Sequence, residues 1–171
     1  MNAPFDDIVY RIQDSVIVAT KAYFEDWLKI EFLSVKVSSG DVDVISPRDL
    51  TAIIGMFGST NIIIVISLQH DLVNAILAQE TAGLDIPRDE LDLYRHDVIA
   101  ELANIVLGHS TKTFGNQGEV IKISPPMVVE GPNNFRRPKG AVYTCFSCRT
   151  VPGMLDVYCI SPKDLQGEIQ I

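Results

Sequence analysis

Ala52-Ile53-Ile54-Gly55-Met56-Phe57-Gly58-Ser59-Thr60-Asn61-Ile62-Ile63-Ile64-Val65-Ile66-Ser67-Leu68 is the stretch on which the fold turns. Two apolar runs, Ala52 to Phe57 and Asn61 to Leu68, flank Gly58-Ser59-Thr60, and runs of this kind around a short glycine-bearing loop predict a β-hairpin. Downstream, Asp71 opens a helix carrying Leu72, Val73, Ile76 and Leu77 and ending near Gly83, and Pro87 starts another that can run to about Thr113. Upstream, Asp6 and Asp7 can cap a helix in which Ile8, Ile12, Val16, Ala19 and Tyr23 recur at helical spacing as far as Trp27. Glu31 to Ser38 alternates like a strand, and Ser39 to Leu50, with Gly40 and Pro47, reads as a loop. After the last helix, Val120 to Ser124, Met127 to Glu130, Val142 to Cys148 and Met154 to Ile160 are short β-rich segments between Gly, Pro and Asn. This order predicts an α+β fold of two layers, a largely antiparallel sheet packed with long helices. No repeat or linker interrupts the 171 residues, so 1–171 is expected to be one domain.

The composition, 47% hydrophobic and 21% charged, is that of an ordinary soluble globular chain. With 14 Lys+Arg against 22 Asp+Glu the net charge is -8, so the protein's own field opposes a grip on polyphosphate. Nucleic acid and anionic membrane surfaces are therefore not expected partners. The longest apolar run, Ile62 to Ile66, falls far short of the roughly 20 residues of a membrane-spanning helix. Met1 to Asp7 carries no basic export signal, so the expected location is cytoplasmic.

Cys145, Cys148 and Cys159 are the only cysteines. Cys145-Phe146-Ser147-Cys148 is formally a C-x-x-C, but residues three apart on a strand point to opposite faces, so the two thiols should diverge and be buried. No metal site is expected: His70, His96 and His109 also lack ligand spacing and read as surface or capping residues. Asn133 to Gly140, with Arg136, Arg137 and Lys139, reads as a solvated hairpin loop, its alternative being contact with an acidic partner.

The residues that carry chemistry lie on the third helix, His96 to Gly108. At about 100° per residue, Asp97, Glu101 and Asn104 fall within about 60° of one another, while Val98, Ile99, Leu102, Ile105 and Val106 take the opposite arc. One face is thus buried and the other presents a carboxylate beside a carboxamide. Glu90 and Gly108 share the polar face, and a glycine there would let another chain come close. By geometry alone the favoured reading is the solvated face of any soluble helix, since paired polar residues at helical spacing are commonplace.

The pattern Asp97-x-x-x-Glu101-x-x-Asn104, followed by Gly108 and by Ser124-Pro125-Pro126-Met127-Val128-Val129-Glu130-Gly131, resembles the signature of the CheC/CheX/FliY chemotaxis phosphatases. That signature is Asp or Ser, three residues, Glu, two residues, Asn, then a proline about 22 residues on. Ile53-Ile54-Gly55-Met56-Phe57-Gly58, then Ile62 to Ser67 and a helix, is similar to the family's glycine-marked hairpin, and the likeness runs from Ala52 to Ile160. Here 21 residues separate Asn104 from Pro126, one fewer than in the pattern. Tyr10 to Ala22 holds no second Glu-x-x-Asn, which the CheC branch carries, so the chain resembles the single-site CheX branch.

The resemblance implies a protein phosphatase that hydrolyses the aspartyl phosphate of a CheY-like receiver domain. Asn104 and Glu101 are then the catalytic pair, Asn104 placing the water and Glu101 pairing with the receiver's lysine. Asp97, Gly108 and Pro126 are supporting or partner-binding positions. The chain itself is expected to bind no cofactor, Mg²⁺ belonging to the receiver. CheX-type relatives are dimers joined through their sheets, so a homodimer is expected, with the late strands 142–148 and 154–160 as apolar edges needing cover. Two alternatives stand beside this: a docking module of the same fold that binds without hydrolysis, as in flagellar-switch domains, and an unrelated regulatory domain with a coincidental helix motif.

Overall fold

The computed structural model describes residues 4–40, 44–58, 61–115, 121–131, 134–136 and 139–162. Helix α1, Pro4–Ala22, passes into a wider π-type turn, Tyr23–Trp27. There follow β1 (Ser34–Gly40), β2 (Val44–Ile45), β3 (Leu50–Phe57), β4 (Ile62–Leu68), α2 (His70–Glu80) and α3 (Leu91–Gly115). The remainder is β5 (Lys122–Ile123), β6 (Met127–Glu130), β7 (Phe135–Arg136), β8 (Ala141–Arg149) and β9 (Met154–Pro162).

The expected hairpin is present, β3 and β4 pairing antiparallel from Leu50 opposite Leu68 to Met56 opposite Ile62. It sits within a seven-stranded sheet of order β1-β8-β9-β4-β3-β5, with β6 also paired to β3, and all these pairings are antiparallel. Side chains alternate across a strand, so Ala52, Ile54 and Met56, Ile62, Ile64 and Ile66, and Leu155, Val157 and Cys159 share one face. They form the main core with Ile12, Val16, Leu72, Ile76, Val98, Ile99, Leu102 and Val106 of the helices. Each large aliphatic side chain buried there contributes about 1.5–3 kcal/mol over its exposed state. Helices on one face of an antiparallel sheet make the α+β, two-layer arrangement expected from the element order.

The other face of the sheet carries a second, smaller core of Ile45, Val65, Ala141, Cys145, Tyr158 and Ile160. Ile45 belongs to β2, which pairs with β7 in a separate two-stranded ribbon. Strand β4 is therefore buried on both faces, the physical reason that its run from Ile62 to Ile66 is apolar without alternation. Beside this second core, Arg48 Nη2 donates to Asp156 Oδ1 at 3.0 Å and its Nε stands 2.7 Å from Oδ2, while Ser147 Oγ donates to the same carboxylate.

The thiols diverge as the strand reading requires, Cys145 lying in the second core and Cys148 in the first. Burial, and after it the charge of Asp156, pushes Cys145 up to about 11 and Cys148 up to about 12.

Several expectations need correction. Strands 142–148 and 154–160 are not edges: β8 lies between β1 and β9, and β9 between β8 and β4. Among the described residues the sheet ends on β1 on one side, where Val35 and Val37 are 48% and 58% exposed, and on β5 and β6 beside β3 on the other. Strand β1 begins at Ser34 and not at Glu31. The loop 39–50 contains β2 and the basic stretch 133–140 contains β7, two-residue strands that only their mutual pairing defines. Helix α3 starts at Leu91, Pro87 instead closing a turn in which its carbonyl accepts from the Glu90 N–H at 3.0 Å. Helix α2 starts at His70, whose N–H donates to Asp49 Oδ2 at 2.9 Å, a cap from distant sequence. Ser59 and Thr60 of the hairpin turn, Val120, and Asn133, Arg137 and Pro138 of the basic stretch lie outside the described residues.

Candidate functional site

Helix α3 is long because its apolar residues keep helical register over many turns. Val98, Ile99, Leu102, Ala103, Val106 and Leu107 are all buried, and Ser110 continues the buried arc. Fixing that arc against the sheet fixes the opposite one in solvent. Asp97, Glu101 and Asn104 are exposed and Gly108 is half-buried. The structure thus brings four of the five singled-out positions into one stripe along α3. Glu90 is exposed too, but lies in the turn before the helix.

The fifth, Pro126, lies on another element. Ile53 pairs with Met127 and Met56 with Ile123, so Ser124, Pro125 and Pro126 oppose only Ile54 and Gly55, a one-residue bulge between β5 and β6. Ser124 holds it, its N–H donating to the Gly55 carbonyl and its Oγ accepting from the Gly55 N–H, both at 2.9 Å. Proline suits a bulge on an edge because no ladder hydrogen bond is asked of its nitrogen. Strand β6 runs beside α3, where His96 Nε2 stands 3.7 Å from Glu130 Oε2. On the helix His96 is about 80° from Asn104, so this contact flanks the stripe without covering it.

Among the described residues, no side-chain hydrogen bond or ion pair ties Asp97, Glu101 or Asn104 to the rest of the chain. An unpaired carboxylate can accept charged donors, and a free carboxamide can accept and donate at once. Behind Glu101 the π-type turn brings in Tyr23, whose hydroxyl donates to Glu80 Oε1 at 2.7 Å. Burial, the bond to Glu80 and the nearby charges of Glu80 and Glu101 hold the Tyr23 phenol well above its usual range. A surface groove of about 340 Å³ lined by Ala22, Tyr23, Asp26, Trp27 and His109 separates this turn from α3. The Tyr23–Glu80 bond joins residues 57 apart in sequence, and nothing in the local pattern announces it. Among the described residues no three His, Cys, Asp or Glu side chains are grouped to hold a metal ion, and no helix is long and apolar enough to cross a membrane.

The family model for the chemotaxis phosphatase CheX matches residues 50–149, which hold the hairpin, α2, all of α3 and the proline bulge. A solved chemotaxis protein CheX from Desulfovibrio desulfuricans superposes with a TM-score of 0.73 at 15% identity, over 86% of this chain and 97% of that one. A CheC-like superfamily protein from Shewanella sp. PV-4 gives 0.73 at 18% identity, over 94% and 98%. The CheX of a CheX–CheY–BeF3–Mg complex from Borrelia burgdorferi gives 0.64 at 20% identity, over 86% and 96%. At these identities the superpositions speak for the fold. No curated protein matches the sequence.

Proposed function

The chain belongs to the chemotaxis phosphatase CheX family, and from that membership we propose that it hydrolyses the aspartyl phosphate of a CheY-like receiver domain. The observation that carries the reading is the α3 stripe: Glu101 and Asn104 stand one turn apart, exposed and, among the described residues, unpaired, on a helix whose other side is locked into the core. A soluble helix needs polar residues on its outer face, but it does not need a carboxylate and a carboxamide held in one fixed geometry.

An acyl phosphate is already reactive, so catalysis reduces to placing a water in line and stabilising the charge of a loose transition state. Asn104 suits the first task, since its carboxamide oxygen accepts from the water while its NH2 donates to the phosphoryl group, and it does not titrate. Glu101 pairs with the receiver's lysine and so anchors Asn104 in the partner's site. Asp97, one turn before Glu101, adds to the negative field of the stripe, and the Pro126 bulge shapes the neighbouring sheet edge. The Mg²⁺ is the receiver's own and neutralises phosphoryl charge there; this chain supplies no ligand to it. The CheY that accompanies the Borrelia burgdorferi relative supports a receiver as partner, and a cytoplasmic location is part of the same proposal.

The protein acts as a homodimer in this reading, through β1 and not through the late strands. Leu33, Val35 and Val37 expose apolar surface along an edge whose backbone groups can pair with a second copy about a two-fold axis. That leaves both α3 stripes open, one site per chain. The test of function is direct: the protein is mixed with a phosphorylated CheY-like receiver and phosphate decay is followed. Accelerated decay is expected; binding without acceleration would replace the phosphatase with a docking module.

A further inference from the structure

Helix α3 contains one residue that its own fold does not account for. A glycine in a helix interior is less favourable than alanine because it loses more backbone freedom on folding. Other glycines of the chain have visible reasons. A Cβ at Gly55 would lie 2.3 Å from the Phe57 ring, one at Gly153 would press on Leu72 and Gln69, and Gly83, Gly131 and Gly140 adopt φ between +76° and +90°. Gly108 has none of these: it is helical, its φ is not positive, and a Cβ there would meet nothing within 4 Å. It lies one turn beyond Asn104 on the same stripe.

We propose that Gly108 is the point at which the main chain of the phosphorylated receiver comes against α3, its missing side chain setting the depth to which Asn104 enters the partner's site. This rests on the phosphatase reading above. Asn104 has a short side chain, a single methylene between backbone and carboxamide. For it to reach a phosphoryl group held within another protein, that protein's backbone must close onto the helix surface around it. Neighbours one turn apart lie about 5–6 Å from each other on a helix, so a side chain at 108 would stand under the approaching chain and hold it away. A displacement of about 1 Å at the reacting atoms can cost 10²-fold in rate. The stripe extends the other way to Leu93, 62% exposed and four residues before Asp97, about 22 Å along the axis from Gly108. A partner covering a standard interface of about 800 Å² per side spans that length, so Leu93 forms the apolar end of the same footprint.

The experiment compares wild type, Gly108→Ala, Gly108→Leu and Asn104→Ala for thermal stability, receiver affinity and decay of receiver phosphate. Gly108→Ala should melt about 2–4 °C higher, alanine being the better helix former in open space. Its phosphatase rate should nevertheless fall about tenfold or more, and Gly108→Leu should fall further with weakened affinity. Wild-type rate and affinity in both Gly108 variants, with Asn104→Ala inactive, would overturn the proposal and leave the phosphatase reading standing. If the wild type binds the receiver without accelerating decay, weakened binding in the Gly108 variants supports the contact while the phosphatase reading falls. A wild type that neither binds nor dephosphorylates the receiver overturns both.

Discussion

Replacing Asn104 by alanine separates the functional reading from a structural one. Asn104 is exposed and, among the described residues, its side chain has no hydrogen-bond partner, so its removal should cost the fold little. Asparagine is the poorer helix former, by about 0.6 kcal/mol, so Asn104→Ala should be neutral to slightly stabilising. For a chain of this length that is a melting shift of about 0 to +2 °C. The catalytic cost runs the other way. Losing a preorganised group that holds the water and stabilises the phosphoryl charge is worth about 10²–10³ in rate, or roughly 2.7–4 kcal/mol. The assay pairs a circular dichroism melt with single-turnover decay of a phosphorylated CheY-like receiver across a range of protein concentrations. A variant that melts like wild type and has lost stimulated decay fits the mechanism. Wild-type-like turnover refutes it, and loss of turnover with a melting point several degrees lower would show that Asn104 serves the fold instead.

Glu101→Ala should weaken receiver binding as well as turnover, and raised salt should reproduce part of the defect in wild type; a fall in rate with unchanged affinity and salt response would remove the anchoring role. Light scattering at micromolar concentration should give about twice the 18.9 kDa chain mass, and Val37→Glu should return the monomer; a wild-type mass near that of one chain would remove the dimer. Asp156→Ala should cost about 3 kcal/mol, because it leaves the Arg48 guanidinium, whose side chain is only 22% exposed, without its carboxylate. Denaturant unfolding checks this, and a loss below about 1 kcal/mol would mean that the pair is solvated. Since Cys145 and Cys148 hold their protons more tightly when folded, rising pH deprotonates the unfolded chain first. Stability should therefore be complete below the ordinary thiol range near 9 and fall as pH climbs towards about 11 and 12. Unfolding of wild type and of a Cys145→Ser, Cys148→Ser variant at pH 7.5 and 10 would test it, an equal pH response in both arguing against the thiols.

Periodicity alone carried the main layer of this protein. The hairpin 52–68, the three helices and the polar arc of α3 are local patterns, in which a period of two or of 3.6 residues states which side chains share a face. The stripe Asp97, Glu101, Asn104 and Gly108 was legible for that reason: all four ride on one helix, and burying one arc exposes the other. The opposite face of the sheet was not legible. Ribbon β2–β7 joins Val44 and Ile45 to Phe135 and Arg136 across some ninety residues, and two-residue strands have no period of their own. Nor could the sequence say which strand stands at the edge. Strands β8 and β9 are apolar because they are central, while β1, whose alternation of valine with lysine and serine looked unremarkable, stands at an edge of the sheet. The cap of α2 by Asp49, the placing of Tyr23 and Glu80 behind Glu101, and the pairing of Arg48 with Asp156 were likewise settled only when distant segments met. Strand order, edges and long-range polar pairs depend on which surfaces meet in three dimensions, and a local pattern holds no record of that choice.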